Sequence, residues 1–217
     1  MSQPESLEAL RLALAPAIAD AVAFDGWSDA AIDSAAADQG IDPASARYAF
    51  SGGAMTMIEA WAGSVDTAMA AAFPPERIGA LKIRERIRSL VQFRLDAIAH
   101  QKEALRRAQA IMALPQNAVR AARLAWHSAD AMWRLAGDTA TDYNHYTKRL
   151  TLGSIYAATL AVYVNDTSEG HADTRAFLDR RIEGIMKFEK AKARIMRPRD
   201  EQFSVARLLG RLRYPAR

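Results

Sequence analysis

Along almost its whole length this chain of 217 residues places apolar side chains three or four positions apart, and it nowhere sustains the two-residue alternation that a half-buried strand requires. Leu7, Leu10, Leu14, Ile18 and Val22 predict a first helix that stops before Gly26-Trp27. Ser28 reads as the N-cap of a second helix ending at Gly40, and Asp42-Pro43 starts a short third one, because Asp caps free amides and proline suits the first helical position. Gly52-Gly53 breaks the pattern before a fourth helix carrying Met57, Ile58, Trp61, Val65 and Met69. From Ile78 to Ile98 the apolar spacing predicts one long helix, with Lys82, Arg84, Arg86, Arg88 and Arg94 on an opposite, solvated face. Further helices are expected before Leu114-Pro115, from Asn117 to Gly137, from Thr141 or Asp142 to about Val164 with Tyr146, Leu150, Tyr156 and Leu160 inward, and after the Asp166–Gly170 loop to about Ile195. The expected fold is all-α.

Half of the residues are hydrophobic, enough to bury a real core. Charge is unevenly distributed: residues 1–73 hold two cations, Arg11 and Arg47, against ten acids, a net of −8, whereas the remainder holds 27 cations against 15 acids, a net of +12. Pro74-Pro75 is the expected boundary, giving segments 1–73 and 74–200 and a tail, 201–217. The chain has no Cys, which excludes disulfides, thiolate zinc sites and Cys nucleophiles. No run approaches the roughly 20 apolar residues that span a bilayer, and no targeting peptide is evident, so the expected location is cytoplasmic.

Three short helices, a capped third one and the aromatic pair Tyr48 and Phe50 at its end resemble the helix-turn-helix domain of TetR-type regulators, and the larger C-terminal bundle fits that scaffold. In those regulators the third helix enters the major groove and basic residues around it neutralise phosphates. Here it offers only Arg47 in a strongly anionic segment, so no nucleic-acid partner is expected.

Residues 130–164 read DAMWRLAGDTATDYNHYTKRLTLGSIYAATLAVYV, followed by NDTSEG. The MW pair, AGD, TDxN, YT, the basic pair and the xxIY block resemble the signature of the lipid-binding coenzyme Q biosynthesis proteins of the Coq-nine family. The likeness extends from FDGWSDAAI near the start to FLDRRI near the end. This resemblance implies a homodimer on a TetR-like scaffold, a pocket for isoprenoid quinone precursors, and docking onto the di-iron demethoxyubiquinone hydroxylase or an equivalent. The docking patch implied by the motif comprises Met132, Trp133, Asp142, Tyr146 and Arg149 with Lys148 beside them. His145 completes it but departs from the pattern, for relatives commonly carry Trp at that point. On spacing alone, Trp133 and Tyr146 fit a core as well as a docking surface.

Met112, Trp126, Tyr156, Leu160, Phe177 and Met186 are chemically suited to an apolar lipid cavity, although such side chains also fill ordinary cores, and only the resemblance assigns them to ligand. In the tail, Phe203, Val205, Leu208, Leu209 and Leu212 fall on one helical face with Arg207, Arg211 and Arg213 supplying charge. From Met186 onward ten cations face three acids. Such a strip can lie in an anionic membrane interface or pack on the bundle or a dimer partner; the resemblance favours peripheral binding at the inner membrane.

Nothing in the chain suggests an enzyme or a cofactor. His100, His127, His145 and His171 are scattered, Asp142 and His145 give a single carboxylate-x-x-His spacing where a di-iron bundle needs two, and phosphate loops, dinucleotide fingerprints and nucleophile elbows are missing. Together with the resemblance, which alone implies ubiquinone biosynthesis, this makes a non-catalytic accessory protein of that pathway the function expected. The rival is a TetR-like transcriptional regulator sensing a lipid or acyl ligand; a carboxylate-His metalloenzyme is a third reading.

Overall fold

The fold was obtained as a computed structural model that describes residues 6–141 and 143–195, the side chains of Met186 and residues 188–195 excepted. Among these residues it is all-α, as the periodicity requires. Ten α-helices follow one another: α1 Leu7–Asp25, α2 Asp29–Gln39, α3 Pro43–Ala49, α4 Ala54–Ala72, α5 Pro75–Gly79, α6 Ile83–Ala97, α7 Lys102–Met112, α8 Ala118–Leu135, α9 Tyr143–Tyr163 and α10 Ala172–Ile195. The chain divides into two compact units, Met1–Leu178 and Asp179–Arg217. The second contains the C-terminal part of α10.

In the first unit α1 packs on α2, α3 and α4, sealing Leu14, Ile18, Ile32 and Phe50 from solvent. Each such side chain stabilises the fold by about 1.5–3 kcal/mol. Asp42 caps α3 as expected, accepting from the Ser45 amide, and Ser6, which the sequence reading did not single out, accepts from the Ala9 amide at the start of α1. Ser28 stands at the N-cap of α2, but its hydroxyl donates to the Asp25 carbonyl at 2.9 Å instead of accepting from α2. Asn117 likewise turns backward, donating to the Ile111 carbonyl of α7 at 2.8 Å.

Helix α4 lies against α1 on one side and α6, α7 and α8 on the other. Its Trp61 meets the Trp27 ring at 5.5 Å and donates to Gln101 Oε1 at 2.9 Å. Gln101 in turn donates to the Pro16 carbonyl at 3.2 Å and to Asp20 Oδ1 at 2.7 Å, while Trp27 donates to the Ala104 carbonyl at 3.2 Å. Buried polar atoms thus find partners across α1, α4 and the start of α7.

The expected long helix from Ile78 to Ile98 is broken. The chain leaves α5 after Gly79 and restarts at Ile83, because Glu85 accepts from the Lys82 amide and Arg86 donates to the carbonyls of Gly79 and Leu81, satisfying groups freed by the break. Nor is the basic stripe uniformly solvated: Lys82 and Arg84 are exposed, Arg86 is half-buried and also donates to the Ala136 carbonyl at 2.8 Å, and Arg94 is only 2% exposed. On α9, Tyr156 faces inward, but Tyr146 and Leu150 face solvent, 58% and 62% exposed. Arg149 and Leu152 hold the inward positions instead.

Helices α8 and α9 form an antiparallel pair, turned by Gly137 at φ +83°, a conformation that L side chains resist. At Gly153 a β-carbon would stand 3.3 Å from the Ala125 carbonyl oxygen, so glycine permits the close crossing. Beyond α9, Asp166 starts the next turn: its carboxylate accepts from the amides and hydroxyls of Ser168 and Thr174 at 2.5–2.8 Å. Burial works to raise the Asp166 pKa, but these hydrogen bonds outweigh it and hold the carboxyl well below the usual carboxylate range.

Because the folded carboxyl titrates below its unfolded counterpart, its stabilisation is complete above about pH 4 and fades as pH falls through the folded value. Asp166→Asn should lower unfolding free energy by about 1–3 kcal/mol at pH 7, and this difference from wild type should shrink between about pH 4 and pH 2 in urea melts.

Candidate functional site

Two features of the first unit could meet another molecule: an apolar cavity among α4, α6, α7, α8 and α9, and an aromatic and charged cluster where α8 gives way to α9.

The cavity, which opens to the surface beside Ala157, has a volume of about 340 Å³, at the small end of the range typical of ligand pockets. Its walls include Ile58, Trp61 and Val65 of α4, Leu105 of α7, and Leu124 of α8. Of the residues expected to line a lipid pocket, Met112, Tyr156 and Leu160 do so. Trp126 does not; its ring faces His145 at 6.1 Å and Tyr146 at 6.0 Å in the other cluster. Phe177 is also absent from the walls, and the Met186 side chain lies outside the described residues. Gly153 lines the cavity too, so the close crossing of α8 and α9 shapes its wall.

Sequence reasoning missed the cavity's charged residue. Arg94 pairs through Nη1 with Asp66, donates through Nη2 to Ser128 Oγ at 3.0 Å and lies over the Tyr156 ring at 4.9 Å. Burial pushes the Asp66 carboxyl up, and Arg94 offsets this only in part. For Arg94, burial opposes the charge, but Tyr156 and Asp66 outweigh it and raise its pKa. The signal was present in the spacing: Arg94 follows Leu90 by four positions and Val91 by three, which places it on the apolar face.

At the end of the α8–α9 pair, Trp133, His145, Tyr146, Lys148 and Arg149 are brought together. Arg149, 2% exposed, donates to Asp130 Oδ1 at 2.6 Å and to Asp138 Oδ2 at 3.0 Å. Lys148 pairs with Asp138 Oδ1 at 2.6 Å, and Arg134 with Asp130 Oδ2 at 2.7 Å. Burial would raise the Asp138 pKa, yet the hydrogen bonds from Lys148 and Arg149 lower it. Trp133 donates to the Lys148 carbonyl at 3.0 Å, with the Lys148 ammonium 5.3 Å from its ring centre. His145 contacts the Ala140 carbonyl through Nδ1 at 3.0 Å and meets Tyr146 edge-on at 5.2 Å.

Exposure sorts these residues. Met132 is fully buried and Arg149 nearly so, placing both beneath the surface, whereas Tyr143 and Tyr146 present large exposed rings and Leu150 continues their face. Sequence reasoning missed Tyr143 and Leu150 as exposed apolar groups, and Asp130 as the second acid that holds Arg149. Asp142 and the whole tail, from Phe203 and Val205 through Arg207, Leu208, Leu209, Arg211 and Leu212 to Arg213, lie outside the described residues.

In the helix-turn-helix region, Arg47 is paired with Asp33 of α2, its Nε donating at 2.7 Å, and Arg11 donates to the Ala49 carbonyl at 2.6 Å. Phe50 is buried and Tyr48 is 67% exposed. No helix among the described residues is long and apolar enough to cross a membrane.

The COQ9 family model matches residues 118–189, the segment that holds α8, α9 and much of α10. The protein named ubiquinone biosynthesis protein COQ9, mitochondrial, from Homo sapiens is 30% identical over 189 residues, 84% of this chain and 59% of that protein. Its namesake from Rattus norvegicus is 40% identical over 100 residues, 46% of this chain and 32% of the relative. The chain thus matches about a third to three-fifths of the length of these relatives. In three dimensions it is similar to the TetR transcriptional regulator from Nitrosomonas europaea, with a TM-score of 0.63 over 80% of this chain and 96% of that one. At 23% identity that likeness establishes a TetR-like fold, while the signature across α8 and α9 and the similarity over most of the sequence place the chain in the COQ9 family.

Proposed function

We propose that this chain is a non-catalytic accessory protein of ubiquinone biosynthesis, which holds an isoprenoid quinone precursor at a membrane surface and presents it to a di-iron demethoxyubiquinone hydroxylase or an equivalent oxygenase. The observation that carries the reading is the apolar cavity, lined by Met112, Tyr156 and Leu160 within a family whose curated members bear the name of ubiquinone biosynthesis. Moving a prenyl tail from lipid into such a cavity exchanges one apolar environment for another, so the ring can be presented without exposing the tail to water.

The docking face in this reading is the exposed stripe of Tyr143, Tyr146 and Leu150 with Trp133, His145 and Lys148 beside it. Arg149 and Met132 support it from below. Protruding tyrosines offer a partner apolar area at little entropic cost, and the pinned ion pairs keep the surface in one shape. The amphipathic tail would supply the membrane contact, and the chain would act as a homodimer. A role as a DNA-binding regulator, the rival suggested by the fold, is opposed by the engagement of both cations of residues 1–73: Arg47 is neutralised by Asp33 and Arg11 is turned onto a carbonyl.

Lipid extracted from the purified protein should contain a polyprenylated ring compound by mass spectrometry. Ala157→Trp, at an exposed position of the cavity wall, should reduce that recovery at least tenfold with little loss of stability. Consistently lipid-free wild-type protein would refute the carrier reading. In pull-downs with the hydroxylase, Tyr146→Ala should weaken capture about tenfold or more while leaving the melting temperature nearly unchanged. Arg149→Ala should instead cost on the order of 3 kcal/mol of stability, because Asp130 and Asp138 lose their buried cation. Removing residues 201–217 should abolish binding to anionic vesicles and spare the folded dimer; vesicle binding that persists would count against the tail's assigned part.

A further inference from the structure

Nearly every polar side chain in the cavity wall is already engaged within the fold. Trp61 donates to Gln101, and Arg94 is held by Asp66 and Ser128 while lying over the Tyr156 ring. Trp61, Arg94, Ser128 and Tyr156 are all buried. The part of the cavity away from its mouth therefore meets an occupant with carbon, or with polar groups turned to one another, and suits a hydrocarbon tail.

Gln109 is the exception. On α7 it follows Leu105 by four positions and precedes Met112 by three, so it stands on the helix face that these two residues give to the cavity. The side chain lines the cavity and is half-buried, and its carboxamide has no hydrogen-bond partner among the described residues. One turn further along α7, Ala113 is exposed, as is Ala157 on α9, and Ala121 of α8 adds another short side chain to the wall. Gln109 therefore lies just inside the mouth, beside a rim whose methyl side chains leave room for a flat ring.

A carboxamide offers N–H donors and a carbonyl acceptor without net charge. The charged residue of the wall, Arg94, is buried and bound to Asp66, so the wall supplies an ionised head group with no counter-ion. Such a group would lose hydration at the mouth without compensation. A hydrocarbon would leave the amide to water alone. A neutral ring bearing oxygen meets the amide at the mouth while its tail runs inward.

We infer that Gln109 is the specificity-determining residue of the carrier site: its carboxamide donates to an oxygen of the head-group ring at the mouth, while the prenyl tail fills the cavity. The ring is thereby held at the surface, and the site prefers a neutral oxygenated ring lipid to a hydrocarbon of the same shape. This inference rests on the carrier reading and adds its head-group selectivity.

The test is calorimetric titration of the full chain with two probes: a fully substituted benzoquinone bearing a short prenyl tail, and the matching prenylbenzene without ring oxygens. Gln109→Leu removes the amide at a half-buried position and breaks no hydrogen bond among the described residues. It should weaken quinone binding about threefold or more, as loss of one hydrogen bond would, and leave prenylbenzene no weaker than in the wild type. If Gln109→Leu does not give a cooperative melt, Gln109→Met is held to the same thresholds. A smaller loss of quinone binding in the folded variant, a matching loss for prenylbenzene, or a wild type that binds prenylbenzene alone overturns the inference while leaving a lipid-carrying cavity. If neither probe binds the wild type, the carrier reading falls with it.

Discussion

Helix α9 can lie as close to α8 as it does because residue 153 has no side chain: a β-carbon there would press on the backbone of Ala125. That crossing shapes both features of interest. Along the pair it sets Tyr156 and Leu160 of α9 and Leu124 and Ser128 of α8 in the cavity wall. At the end of the pair it sets Arg149 between Asp130 and Asp138, which fixes the turn from which the exposed tyrosines stand out. Cavity and surface patch therefore share a single geometric origin, with ion pairs at one end and a tight backbone approach in the middle.

The buried charges around this pair are arranged so that none stands alone. Arg149 meets two carboxylates, each of which also holds a second cation, and Arg94 meets Asp66 in an apolar wall. Such groups are weak contributors to net stability compared with hydrophobic side chains, but they strongly penalise arrangements in which a partner is missing. Here they restrict the register of α8 against α9 and of α6 against α4.

Local rules made much of the fold legible. Asp42-Pro43, Gly26 and Gly137 each mark a real helix end, since capping and backbone freedom act over a few residues. Reading failed where a tertiary partner decided the outcome. Arg86 and Glu85 close a break that apolar spacing runs straight across, and Arg94 occupies an inward position that a count of basic residues assigns to solvent. Tyr146 and Leu150 show the converse, apolar side chains turned outward because Arg149 and Leu152 hold the inner face. For the sites, composition could not separate a core from a cavity; only the placement of Met112, Tyr156 and Leu160 around empty space, and of Trp126 away from it, draws that distinction.

Gln101 gives the molecule a mechanical linkage. One amide side chain accepts from Trp61 in the cavity wall and donates to both Pro16 and Asp20 midway along α1. Trp61 cannot shift without straining or breaking this junction, and Trp27, packed against it and tied to α7, would have to follow. The N-terminal helices are therefore tied to the cavity wall by side-chain hydrogen bonds as well as by packing, since α1 also lies directly on α4 and α7.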